Sequence, residues 1–304
     1  MRGFAILWMI LFQSLDLFSK DFQTYAYTLY SFLDFVNWVP IFTFVSGMSV
    51  WLMVDKRLSS GFSRWKILIH GLKRYGFYIF LSLLLCLWSF SFQTFLELNE
   101  ILVVIGVYAL VTLCLLLVFF SKEWIFVPLA FVAYELSLWF RQPPGFQDYP
   151  FYLILPLFFL GAFSAKLIIN KSLEKLTLLE LLLLIVIAIL AFLGDGFSYA
   201  RDSLGFVIFN AFLIVTLFTI VNSFQRVEIL NVFSFAGRNA LFFYVFHFAV
   251  WFKLAVFLKI SPTFDWPSSI LLTCLSIAVI FLFAHLTSGL SQYFRKVVSK
   301  PKSL

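Results

Sequence analysis

Charge is what this chain has least of. Only 12% of its 304 residues are Asp, Glu, Lys or Arg, about half the share found in soluble domains. Cysteine is scarce as well, at three residues, which excludes a disulfide framework. There is no Cys-pair or His-rich spacing for a metal, no glycine-rich phosphate loop, and no Gly-x-Ser-x-Gly nucleophile turn. What is abundant is apolar bulk. Hydrophobic residues make up 62% of the chain and Phe alone accounts for 43 residues. Disorder is excluded by that composition. The class that remains is an all-α membrane protein, a polytopic helical bundle with a multi-pass place in the cell membrane.

Gaps between charges mark the membrane-crossing segments, each needing roughly 17–25 mostly apolar residues. Phe35–Val54, Tyr75–Leu96, Ile101–Ser121, Tyr149–Ala165 and Ser203–Gln225 carry no charge, and Trp266–Phe294 carries only His285 as an ionisable group. Gly3–Ser19, Trp124–Phe140, Leu176–Gly194 and Asn239–Leu258 carry one charge each: Asp16, Glu135, Glu180 and Lys253. The expectation is ten transmembrane helices. The opening apolar run shows no small-residue cleavage site and reads as the first helix rather than a signal peptide.

An even number of helices puts both termini on one side, and Lys/Arg bias chooses that side. With cytoplasmic termini, seventeen of the 22 basic residues face inward and ten of the fifteen acids face outward. The basic stretch Lys56–Arg74 then lies on the inner side, where anionic metabolites and lipid headgroups occur; setting topology is its simplest role. The inter-helix stretches Lys20–Asp34, Asp55–Arg74 and Arg226–Arg238 are too short for a separate core, so residues 1–304 read as a single transmembrane domain. Trp38, Trp51, Trp88, Trp124, Trp139, Trp251 and Trp266 lie near span ends, as an interfacial aromatic belt would. Cys86, Cys114 and Cys274 fall inside spans and read as small apolar residues.

Ionisable groups in hydrocarbon are costly, so each one is a candidate for function. His247 sits in an aromatic run, Ala240–Trp251; a buried imidazole bonded to a neighbouring helix is the structural alternative. His285 more readily fits that structural role. Together with His70, Arg74 and Arg238 they form an expected inner-side polar group. Gln13 and Asp16, three apart, share one face of the first helix. Glu135 is expected to be buried and to need a partner. Asp195, Arg201 and Asp202 read as solvated loop charges.

Six landmarks occur in order: Arg2–Gln13 followed by Asp16-Leu17; Pro40–Gly47; the basic stretch ending Leu72-Lys73-Arg74; Glu100–Tyr108; Asp148–Gly161; and Gly237–His247. This order resembles the heparan-α-glucosaminide N-acetyltransferase catalytic-domain family, especially its small prokaryotic members, over nearly the whole chain. It is similar, more distantly, to the broader membrane acyltransferase class that opens with a basic first helix and a His. The resemblance implies acyl-CoA (acetyl-CoA among the candidates) as a cytoplasmic co-substrate, no metal, and a glycan or other cell-envelope acceptor. It implies His247 as the key imidazole, with Gln13 and Asp16 near the acceptor or acyl path. Lys73, Arg74, Arg238 and Asn239 would lie near the CoA phosphates. The implied partners are the bilayer, acyl-CoA and the acceptor, not nucleic acid, and the chain is compatible with a homo-oligomer.

Three departures matter. Gln13 stands where relatives often carry His, Val103 or Val104 where a second His is expected, and no Asp precedes Arg2-Gly3. Glutamine hydrogen-bonds but takes no proton at neutral pH, so a mechanism relying on a first-helix His cannot run unchanged. The alternatives are a transporter or flippase-like carrier, with Glu135, Asp16 and Lys253 lining its path, or a catalytically degenerate structural member of the family.

Overall fold

The computed structural model describes residues 1–19, 38–89, 101–120, 122–139, 151–169, 173–192, 204–223, 229–248 and 264–298. Named helices are α1 (Arg2–Phe18), α2 (Trp38–Ser59), α3 (Arg64–Ser89), α4 (Ile101–Phe119), α5 (Phe126–Trp139), α6 (Phe151–Ile169), α7 (Leu173–Phe192), α8 (Leu204–Ser223), α9 (Ile229–Arg238), α10 (Ala240–Phe246) and α11 (Trp266–Val298). A 3-10 turn, Glu123–Ile125, leads into α5. The architecture is an all-α membrane bundle, as the composition requires. A backbone in hydrocarbon must satisfy its own polar groups, and these apolar runs do so as helices.

Among the described residues, four stretches are long and apolar enough to cross a membrane: Val39–Ser59, Arg64–Trp88, Ile101–Phe119 and Pro267–Thr287. Arg2–Leu15, Phe126–Leu136, Leu155–Leu167, Thr177–Ile189 and Val207–Val221 are shorter apolar helical stretches. Large apolar side chains point outward in rows, such as Leu178, Leu181, Leu182, Ile185 and Ile189 on α7 and Leu271, Leu275, Leu282 and Leu286 on α11. Surfaces of that kind suit lipid, not water.

Two of the stretches read as loops are largely helix. Charges had marked Asp55–Arg74 as a connection. In the structure the connection shrinks to residues 60–63, between α2 and α3. Long Lys and Arg stems ride along helix ends while their charges reach the polar boundary, so charge is a poor marker of where a helix stops. The stop itself is a C-terminal cap: Gly61 takes φ 78°, and the Gly61 and Phe62 amides donate to Leu58 and Arg57 carbonyls at 2.9 and 3.0 Å. Ser63 then opens α3, its hydroxyl accepting from the Lys66 amide at 3.4 Å. Similarly, Ile229–Arg238, read as part of a loop, is α9.

The chain divides into two compact units, α2–α8 and α1 with α9–α11. In the first, α2 packs on α6, α3 on α4, α5 on α6 and α7 on α8. Lipid tails are as apolar as Leu, so helix pairs in membranes associate through close packing rather than the hydrophobic effect. Two glycines provide that closeness reciprocally. A β-carbon on Gly47 would fall on the Phe158 carbonyl, and one on Gly161 on the Phe44 carbonyl. The Pro40–Gly47 and Asp148–Gly161 landmarks therefore meet as one helix crossing. The α7–α8 pair uses a polar link instead: Thr219 Oγ1 donates to Glu180 Oε1 at 2.6 Å, which accounts for that in-span carboxylate. Glu135 is half-buried rather than buried. Trp51 is 4% exposed and stacks on Phe120 at 6.0 Å.

In the second unit α1 packs on α9 and α11, and α10 on α1 and α11. Gly3 and Gly237 set the α1–α9 crossing. A β-carbon on Gly3 would fall on the Phe233 carbonyl, and one on Gly237 would lie 3.0 Å from the Gly3 amide nitrogen. The first and last landmarks thus touch. An aromatic seam follows: Phe4 on Phe233 at 6.1 Å, Phe235 on Phe281 at 5.9 Å, and Phe243 edge-on to Phe281 at 4.9 Å. Such pairs contribute roughly 0.5–1.5 kcal/mol each beyond area burial. Here the abundance of Phe has its structural account. The α1 C-terminus is tied to the start of α11, where the Phe264 amide donates to the Phe18 carbonyl at 3.2 Å.

Candidate active site

Hydroxyls in these helices usually bond back to their own backbone. Thr43 donates to the Val39 and Pro40 carbonyls at 3.0 Å, Ser164 to Leu160 at 2.8 Å, Ser269 to Asp265 at 2.9 Å and Ser276 to Leu272 at 2.7 Å. That is the default for a buried hydroxyl with no water to turn to. The exceptions are informative. In the second unit, Gln13 Oε1, Ser14 Oγ, Ser19 Oγ, Thr273 Oγ1 and both ring nitrogens of His247 are buried without a hydrogen-bond partner among the described residues. An unmet buried polar group costs about 1–3 kcal/mol. A fold retains such groups where something else is to meet them.

His247 is the most demanding of these. It is 1% exposed and stands where α10 ends and the chain widens into a π turn over residues 247–248. Its amide is shared between the Phe243 and Tyr244 carbonyls. Turns of this kind recur at functional sites because they redirect a side chain out of helical register. The Phe248 ring lies 5.5 Å away, edge-on. Among the described residues no neighbouring helix offers the imidazole a hydrogen bond. A neutral imidazole has one donor and one acceptor; with both unpartnered among the described residues and shielded from water, it is equipped to take and return a proton.

Gln13 lies on α1, which packs against α10 and α11. Asp16 is in the same helix, and its side chain lies outside what the structure describes. Arg238 is exposed at the end of α9. Asn239 marks the break between α9 and α10, and its side-chain amide donates to the Phe235 carbonyl at 3.0 Å. His285 is exposed on α11, its ring 6.1 Å from Phe235. Arg238 and His285 are thus exposed, whereas His247 is buried.

Lys73, Arg74 and His70 belong to α3 in the other unit. Lys73 is exposed; Arg74 is half-buried, its guanidinium 5.7 Å over the Tyr75 ring and hydrogen-bonded to Tyr78. Val103 and Val104, where a second His was expected, are buried in an aliphatic cluster with Val39. Among the described residues no group of three or more His, Cys, Asp or Glu is gathered as metal ligands would be. Lys20, Asp21, Asp34, Glu97, Glu100, Arg141, Asp148, Asp195, Arg201, Asp202, Lys253 and Lys259 lie outside the described residues.

The sequence reading did not single out Ser14, Ser19 or Thr273. Their only signal was a hydroxyl in an apolar run, shared with Thr43 and Ser276, which serve their own helices.

No curated protein matches the chain. Residues 1–285 match the family described as the acyltransferase domain, a span that includes α1, His247 and the whole of α2–α8. The broader of the two resemblances is thus the one that holds: the chain belongs to the integral membrane acyltransferase family defined by that domain.

Proposed function

We propose that the protein transfers an acyl group, acetyl among the candidates, from acyl-CoA to a glycan or other cell-envelope acceptor. His247 is its proton-transfer group. One observation carries this reading: a fully buried imidazole with both ring nitrogens unpartnered, in a chain of the acyltransferase family. One ring nitrogen accepts the proton of the acceptor hydroxyl or amine as its oxygen or nitrogen attacks the thioester carbonyl. As the carbon–sulfur bond breaks, the imidazolium gives that proton to the departing thiolate, which leaves as the CoA thiol. Positioned acid–base help of this kind is worth roughly 100- to 10,000-fold in rate.

Within the same unit, Gln13 supplies a side-chain amide whose oxygen has no partner among the described residues, and Ser14 and Thr273 supply hydroxyls likewise unpaired there. Their proposed role is to hold the acceptor or the developing oxyanion. The replacement of the family's first-helix His by Gln13 fits this division: glutamine orients, His247 moves the proton. Arg238 and Asn239, and separately Lys73 and Arg74, are proposed as contacts for the CoA phosphates. The kinship with heparan-α-glucosaminide N-acetyltransferase-like proteins, the single-domain reading of residues 1–304, and inward-facing termini belong to this proposal.

The test is acyl-CoA binding and acyl transfer by purified protein, comparing the parent with His247→Ala and Arg74→Ala. Retained acyl-CoA binding with lost transfer in His247→Ala supports the assignment. No acyl-CoA binding by any of the proteins would refute the enzyme reading, and solute counterflow without transfer would favour the carrier.

A further inference from the structure

The α2–α3 turn has a composition that neither the acyltransferase chemistry nor the packing uses. Residues 59–66, Ser-Ser-Gly-Phe-Ser-Arg-Trp-Lys, are exposed without interruption. Trp65 is 66% exposed and Phe62 45%. Around them stand Lys56, Arg64 and Lys66, all exposed, and Arg57, whose guanidinium lies 5.5 Å over the Phe62 ring. Lys56, Arg64 and Lys66 form no ion pair among the described residues, and Asp55, half-buried, is the nearest acid along the chain. Both flanking helices are long and apolar enough to cross a membrane. The turn therefore sits at a membrane–water boundary.

Two features separate this patch from a topology signal alone. Topology needs only charge, whereas here aromatic rings are exposed between the cations. Trp and Phe would be costly in water, yet Trp is at home at headgroup depth. The turn is also fixed: the Gly61 cap and the Ser63 N-cap hold its backbone, so the cations are presented together rather than on a loose loop. Lys73, proposed as a CoA contact, lies seven residues beyond Lys66 along α3, roughly 10 Å away at helical rise, and is not part of the patch.

We infer that the α2–α3 turn is a binding site for anionic phospholipid headgroups. Lys56, Arg57, Arg64 and Lys66 contact the phosphates, and Phe62 and Trp65 seat in the interfacial layer. The inference does not rest on the acyltransferase reading. Each basic residue near an anionic surface contributes appreciably, and the attraction is screened by salt.

The test uses the full chain in detergent micelles, titrated with dioleoyl-phosphatidylglycerol or dioleoyl-phosphatidylcholine and read by native mass spectrometry. The expected result is a preference for phosphatidylglycerol of about tenfold or more, declining as salt rises. A Lys56→Gln, Arg57→Gln, Arg64→Gln, Lys66→Gln variant is expected to lose it. Exchanging Lys and Arg at the same four positions is expected to retain it, which separates loss of charge from loss of fold. Equal retention of the two lipids by the parent protein, or an unchanged preference in the folded Gln variant, overturns the proposal. So does displacement of phosphatidylglycerol by inorganic phosphate, which would make this a site for soluble anions.

Discussion

The two units treat buried polarity differently. In α2–α8 one in-span carboxylate, Glu180, has a dedicated partner in Thr219, and Thr43 and Ser164 are bonded to their own helices, as Ser269 and Ser276 of α11 are to theirs. In α1 and α9–α11, Gln13, Ser14, Ser19, Thr273 and His247 are left with unmet polar atoms beside an aromatic seam. Close glycine crossings occur in both units, so the contrast does not come from looser packing. Reserving polar groups is a stability cost, and proteins bear such costs where chemistry is done. The first unit has exceptions of its own, Trp51, Thr112 and Thr216, yet none of these is an ionisable group. What separates the units is the free imidazole.

The comparison can be broken or sharpened by substitution. The largest effects on stability are expected at the crossings. Gly161→Ala drives a methyl into the Phe44 backbone, and Gly3→Ala into that of Phe233; each is expected to cost about 1–3 kcal/mol, read as reduced thermal stability in detergent. Next is Thr219→Val, which strands Glu180 and is expected to cost about 1–2 kcal/mol. Gly61→Ala follows at about 1 kcal/mol, because its φ of 78° disfavours any side chain although space is open. Thr273→Val removes a hydroxyl with no partner among the described residues and is expected to leave the melting temperature unchanged or slightly raised, while impairing transfer. Equal losses of stability for Thr219→Val and Thr273→Val would erase the distinction between the units.

Much of the fold was legible in the residues. Long apolar runs give helices, and the charge-free segment Ile101–Ser121 is helical over Ile101–Phe119. Helix ends were less legible, since Lys56, Arg57, Arg64 and Lys66 lie on helices or their margins with charges outward. The ordered landmarks were legible as a set. Their structural meaning was not, because a glycine that lets two backbones meet is indistinguishable in sequence from one at a turn. Gly3 with Gly237, and Gly47 with Gly161, are partners only once folded. His247 stood out as a lone imidazole among aromatics. Ser14 and Thr273 did not, because sequence cannot say whether a hydroxyl bonds to its own carbonyl four residues back or is withheld.

The central claim is that His247 is kept for chemistry and not for the fold. His247→Phe tests it most directly: it fills the same aromatic site and removes both unmet nitrogens. Acyl transfer and melting temperature should be measured on the same purified protein. The account predicts a loss of transfer of about 100-fold or more, with the melting temperature unchanged or raised. Transfer at the parent rate, or a melting temperature that falls along with activity, would contradict it.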